Sequence, residues 1–135
     1  MIKVKPLFGG FGKPGERVSE QDGVYCFEGE GSDIGCNLVI MEEMKSPSLL
    51  ELDIRGKINK QEPWVRLRIE IFDRSNLDEP ATSFEEDYLT IDLNPDDFQH
   101  LSLPVLGIVK SPHRVQFMVV GPAKSKVEMK NVMLR

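Results

Sequence analysis

From residue 24 onward, apolar and polar side chains alternate in short runs divided by turn-forming residues. In the run 49–58, Leu50, Leu52, Ile54 and Ile58 fall on one side, while Glu51, Asp53, Arg55 and Lys57 fall on the other. The run 63–73 repeats the pattern, with Val65, Leu67, Ile69 and Ile71 opposed to Trp64, Arg66, Arg68, Glu70 and Phe72. Successive side chains of a strand point to opposite faces of a sheet, whereas a helix brings every third or fourth residue to one face. Both runs are therefore predicted strands. The same reasoning assigns strands to 24–28, 36–41, 84–93, 98–103, 114–120 and 126–134, eight in all. Between them lie turn signals such as the glycine-rich 29–35 and Asn94-Pro95-Asp96-Asp97. In the last run Val127 and Met129 are odd-phased but Val132 and Leu134 even-phased, which predicts a bulge near Lys130 and Asn131.

Strands with one apolar face, at this spacing and without a helix longer than one turn, predict an all-β fold: a two-sheet antiparallel β-sandwich of jelly-roll type. With the usual connectivity of such folds, predicted strands 1, 8, 3 and 6 form one sheet and 2, 7, 4 and 5 the other. Residues 1–22, rich in glycine, proline and charge, are expected to be an irregular lead-in with one edge strand near residues 2–5. Residues 23–135 are then the sandwich domain. The lead-in contains Gly10-x-Gly12-x-x-Gly15, the letters of a dinucleotide fingerprint. That fingerprint works between a buried strand and a helix N-terminus, and the following residues have no apolar helical face.

At 135 residues the chain has the size of a single domain, with 40% hydrophobic and 29% charged residues. A net charge of −5 opposes nonspecific phosphate binding, so nucleic acid is not an expected partner. No apolar run reaches the roughly 18 residues of a membrane-spanning helix, and no membrane partner is expected. The N-terminal residues lack an apolar core of signal-peptide length, an expectation of cytoplasmic location if the chain is full length. Cys26 and Cys36 are read as two reduced residues in neighbouring strands.

Four segments resemble the carbohydrate-binding-module-like jelly rolls of the galactose-binding-like superfold. The runs 49–58 and 64–73 resemble that family's first long strand and its partner. Phe98-Gln99 resembles the aromatic–Gln pair that opens a strand after a polar turn, and Asn131-Val132 the Asn-Val of the closing strand. The resemblance covers residues 48–135 and implies a non-catalytic, sugar-binding sandwich. Many relatives place an Asp before the Asn-Val, where it helps hold a structural calcium. Here that position is Lys130, which offers no lone pair, so structural calcium is disfavoured and no cofactor is expected. The Asp92-x-Asn94-x-Asp96 spacing likewise fails as an EF-hand, because Asp97 and Leu103 stand where glycine and glutamate are needed.

Under the predicted pairing, the outward face of the Trp64 strand gathers the residue types that bind sugars. Aromatic rings stack on the C–H faces of pyranoses, and planar polar side chains hydrogen-bond hydroxyl groups. Trp64, Arg66, Arg68, Tyr88, Gln116 and Asn37 are the candidate ligand-binding residues. Thr90, Asp92, Arg114, Met118 and Val39 are expected beside them. The competing reading of the same face is a solvated surface laced by cross-strand ion pairs, Arg66 and Arg68 against Asp92 or Glu86. A third use is as an interface to a protein partner, anchored by Met118, Val39, Phe72 and Trp64. No catalytic residue is assigned. There is no G-x-S-x-G elbow, His100 and His113 flank turns, and Glu85-Glu86-Asp87 reads as a solvated charge run.

Overall fold

The computed structural model describes residues 2–3, 9–89 and 91–135. Among them lie nine strands and one helical turn. The strands are β1 (Ile2–Lys3), β2 (Gly9–Gly10), β3 (Arg17–Gln21), β4 (Val24–Val39), β5 (Leu49–Lys60), β6 (Arg66–Asp73), β7 (Thr82–Glu85), β8 (Gln99–Pro104) and β9 (Pro112–Leu134), with α1 (Glu86–Leu89) between β7 and β8. All strand pairs are antiparallel.

The protein is an all-β, two-layer antiparallel sandwich whose layers are one continuous sheet folded over itself. Two long strands make the fold. β4 has 16 residues and β9 has 23, and each passes through both layers beside the other. Their first-layer portions join β3 and β5, with β8 added on β5, while their second-layer portions join β2 and β6, with β7 added on β6. In terms of the eight predicted runs, the layers are therefore 1-8-3-6 and 2-7-4-5, as the jelly-roll connectivity predicts. The difference is that runs 1 and 2, and runs 7 and 8, are halves of single bent strands.

The bend is built from local chemistry. The β4–β9 register shifts between Ser32 and Ile34, where Asp33 has φ 59° and Gly121 opposite has φ 92°. The Asp33 carboxylate accepts the Gly121 N–H at 2.8 Å, clamping the two corners together. Such left-handed backbone favours Gly and tolerates Asp, whose short polar side chain bonds locally. The bulge predicted near Lys130 and Asn131 is present. Asn131 has φ 52°, and β5 pairs Glu51 with Met133 but Asp53 with Lys130.

The predicted inward rows form the core. Leu50, Leu52, Ile54, Val65, Leu67, Ile69, Ile71, Val115, Phe117, Val119, Val127, Met129, Val132 and Leu134 are all buried in one apolar cluster. Two expectations are corrected, the irregular lead-in over 17–21 and the strand over 84–93, while the edge strand near residues 2–5 is present where it is described. Residues 17–21, inside the lead-in expected to be irregular, form β3 against β4. Of the edge strand expected at 2–5, Ile2–Lys3 pairs with β9, and residues 4–5 lie outside the described residues. The strand expected over 84–93 is replaced by β7 at 82–85 and the turn α1. β6 begins at Arg66 and pairs Arg68 with Glu85, so a strand continued beyond Asp87 would have nothing to pair with. Leu89 is buried instead, and Ile91 and Leu93 pack on the core without joining a ladder.

The glycines of Gly10-x-Gly12-x-x-Gly15 lead into β3, not a helix. The Glu16 carboxylate accepts the amides of Gly12 (2.9 Å), Lys13 (3.4 Å) and Gly35 (3.2 Å). A carboxylate of this chain thus already stands on two of the loop's amides, where a phosphate would have to sit.

Candidate functional site

The outer face of the second layer is laid out by strand register. One row runs Ser83, Glu70, Gln116, Asn37 across β7, β6, β9 and β4. The next runs Glu85, Arg68, Met118, Gly35, and a third begins with Arg66 and Val120. Because strand side chains alternate, burial of Leu67, Ile69, Val115 and Phe117 beneath forces these residues outward. Arg66, Arg68, Gln116 and Asn37 therefore share one face. Trp64 stands at its edge, in the turn before β6, since β6 begins at Arg66 and not at Pro63.

Trp64 is 52% exposed, and its six-membered ring lies over the Gly121 backbone. A Cβ at Gly121 would come within 2.5 Å of Trp64 Cζ3 and 2.7 Å of Cη2. The bend in β9 thus supplies the flat seat that holds the indole. Phe11 does the same at Gly35, where an added Cβ would approach Phe11 Cε2 to 2.7 Å. The strand pair Gly9–Gly10 with Asn37 and Cys36 brings Phe11 to this face. Phe11 was not among the expected site residues. Its only sequence signal was an aromatic amid the glycines of the lead-in, and nothing local revealed that β2 would fold back on β4.

The arginines are held in place. Arg68 donates through Nε (3.0 Å) and Nη2 (2.8 Å) to Glu85 Oε1. Arg66 donates to the Trp64 carbonyl (3.2 Å), to Glu85 (3.2 Å) and to Asp87. The ion pairs expected on this face are present, but with Glu85 and Asp87 in place of Asp92 or Glu86. Glu86 reaches away to Lys60. A guanidinium has five donors, so both arginines keep N–H groups for a ligand while their planes are fixed beforehand. Gln116 Nε2 donates to Glu70 Oε1 at 3.1 Å, and Glu70 is 6% exposed. The Asn37 side-chain oxygen is buried and has no hydrogen-bond partner among the described residues. At the far end Arg114 stacks on Phe72, 3.8 Å from the ring centre. Phe72 is thereby covered and Arg114 occupied.

Tyr88 is not part of the row. It sits on α1 and is 80% exposed. Asp92 lies in the loop after α1, where its N–H donates to Gln99 (3.1 Å), and Thr90 lies outside the described residues. Elsewhere, Lys130 Nζ stands 4.2 Å from the Phe98 ring centre, with Arg55 also 4.2 Å from it. The lysine that replaces the expected aspartate thus packs on the aromatic of the Phe98-Gln99 pair. His100 Nδ1 is 2.9 Å from Asp53 Oδ1. Partial burial would push the Asp53 carboxyl up, but hydrogen bonds from Asn131 and His100 bring it below its usual range. Burial, then the Arg114 and Arg74 charges, push His113 down.

Comparison with family models and with curated proteins returns no match. Comparison with solved structures does. A mutant of a carbohydrate binding module family 29 aligns over 97% of this chain and 87% of its own, with a TM-score of 0.64 at 15% identity. A mutant family 29 module complexed with mannohexaose aligns over 96% and 86%, TM-score 0.62, at 13% identity. Another, complexed with cellulohexaose, aligns over 97% and 87%, TM-score 0.61, at 16% identity. The chain has the fold of these carbohydrate-binding modules.

Proposed function

We propose that the protein is a non-catalytic carbohydrate-binding module that takes a glycan on the outer face of β4, β9 and β6. The observation that carries this reading is the half-exposed Trp64 ring seated on Gly121, next to two arginines fixed by Glu85. A sugar ring would stack on the indole. Arg66, Arg68, Gln116 and Asn37 would hydrogen-bond its hydroxyl groups, and Phe11 would offer a second apolar surface. Side chains already locked by ion pairs lose little rotamer freedom on binding, which favours a shallow site. The same-fold modules solved with cellulohexaose and mannohexaose support a neutral hexose oligosaccharide as the first ligand to try.

Trp64 is the only tryptophan, so its fluorescence reports directly on the site. Titration with cellohexaose and mannohexaose should shift its emission, and Trp64→Ala should reduce affinity at least tenfold by calorimetry. Binding that survives Trp64→Ala undiminished would move the site off this face.

A further inference from the structure

The bend of β9 under Trp64 is held from β4, by a residue with no place in the ladder. The β4–β9 register passes from Ser32 opposite Pro122 to Ile34 opposite Val119, so neither Asp33 nor Gly121 has a cross-strand partner there. The β6 ladder stops at Arg66 and Val120, and the β5 ladder at Lys60 and Ala123. Gly121 thus lies outside every strand pairing, and its N–H donates instead to Asp33 Oδ1, at 2.8 Å. Pro122, next in the chain, has no N–H to offer. Asp33 itself stands at φ 59°. A non-glycine residue keeps such left-handed backbone only where its surroundings over-determine it, and such residues gather at ligand clamps.

The indole, in turn, has no tether of its own. Among the described residues no hydrogen bond reaches its N–H. The ring is half-exposed and rests on the Gly121 backbone, so it is only as fixed as that backbone. A shift of Trp64 would also be passed on, because its carbonyl accepts Arg66 Nε at 3.2 Å.

We infer that Asp33 is a positioning residue of the sugar site. By holding the Gly121 amide it fixes the seat of Trp64, and through Trp64 the Arg66 guanidinium, without touching the ligand itself. The inference rests on the carbohydrate reading of the Trp64 face. The hydrogen bond carries this role, not the charge. Oδ1 accepts from a neutral amide, so the oxygen of an asparagine in the same place serves equally, and asparagine also tolerates left-handed backbone. Without an acceptor, Gly121 is free to move, since glycine is the most permissive of residues. The indole then takes several positions and must be ordered when a sugar stacks on it, which costs affinity.

The test compares Asp33→Gly, which permits the left-handed backbone but removes the acceptor, with Asp33→Asn, which keeps both. Trp64 emission and its quenching by acrylamide are read without ligand, and cellohexaose affinity is read by calorimetry. In folded Asp33→Gly the emission should move to the red and quenching should rise. Affinity should fall by roughly three- to tenfold, the cost of immobilising one loosened side chain. Asp33→Asn should match the native protein in all three. Asp33→Glu retains the charge but moves the acceptor by one methylene. It should behave as Asp33→Gly does, which keeps the inference testable if the glycine variant does not fold. Native emission and affinity in Asp33→Gly overturn the inference, as does an Asp33→Asn variant equally perturbed. So does a shifted emission with unchanged cellohexaose affinity where Trp64→Ala does lose it. Absence of cellohexaose binding, or binding that survives Trp64→Ala, removes the sugar site instead, and the ligand-free emission then decides alone whether Asp33 seats Trp64.

Discussion

Asp73 closes β6, and its buried carboxylate accepts three backbone amides. Its Oδ2 accepts the backbone N–H groups of Lys110 (2.8 Å) and Ser111 (2.9 Å), and Oδ1 that of Ser75 (3.0 Å). It thereby ties the turn after β6 to the segment entering β9. Burial alone would push its pKa up, but the amides of Ser111, Ser75 and Lys110 hold it down, to about 2 from 3.8. At roughly 1.36 kcal/mol per tenfold in proton affinity, that difference is worth about 2.4 kcal/mol. A carboxylate depressed in the native state contributes its full stability above the unfolded pKa and loses it as pH falls through the native one. Asp73→Asn keeps the shape, removes the charge and turns an NH₂ group toward amides that also donate. Urea unfolding at pH 7 should show the variant destabilised by about 2 kcal/mol. The gap between the two proteins should fall to about half near pH 3 and nearly close at pH 2. A loss below about 0.5 kcal/mol at pH 7, or a gap that does not change with pH, would refute the reasoning.

Gly121→Ala should expel Trp64 from its seat and strain a backbone at φ 92°. The expected result is a red-shifted Trp64 emission and a stability loss of roughly 1–3 kcal/mol in urea. Glu85→Gln removes the charge shared by the two arginines, releasing Arg68 and leaving Arg66 on Asp87 and the Trp64 carbonyl. Stability should change by less than about 1 kcal/mol, because such half-exposed ion pairs contribute little, while calorimetry should show affinity for a neutral hexasaccharide falling several-fold. The Cys36 thiol is buried, and burial pushes its pKa far up. Cys26 is buried and raised as well. A thiol reagent should therefore label neither in the native protein and both after unfolding, and rapid native labelling of Cys36 would contradict the described packing.

Much of this architecture is legible in the alternation of residue types. The inward rows Val65–Leu67–Ile69–Ile71 and Val115–Phe117–Val119 identify strands and their faces, because burial of one face leaves no choice of phase. The same parity turns Arg66, Arg68, Gln116 and Asn37 outward, and the phase change across Lys130 and Asn131 marks a bulge before any pairing is known. Tyr88 shows the limit of that reasoning. Leu89, Ile91 and Leu93 have strand period, yet they reach the core from a helical turn and a loop, because a period-2 pattern records burial and not hydrogen bonding. What only the tertiary structure decided involves residues far apart in the chain. β4 and β9 are continuous through both layers because Asp33 clamps Gly121, 88 positions later. Trp64 is flat because Gly121 leaves room for it, and Phe11 joins the site because β2 returns to β4. Local sequence specifies which way a side chain points, whereas its neighbours are set by strand pairing and close packing.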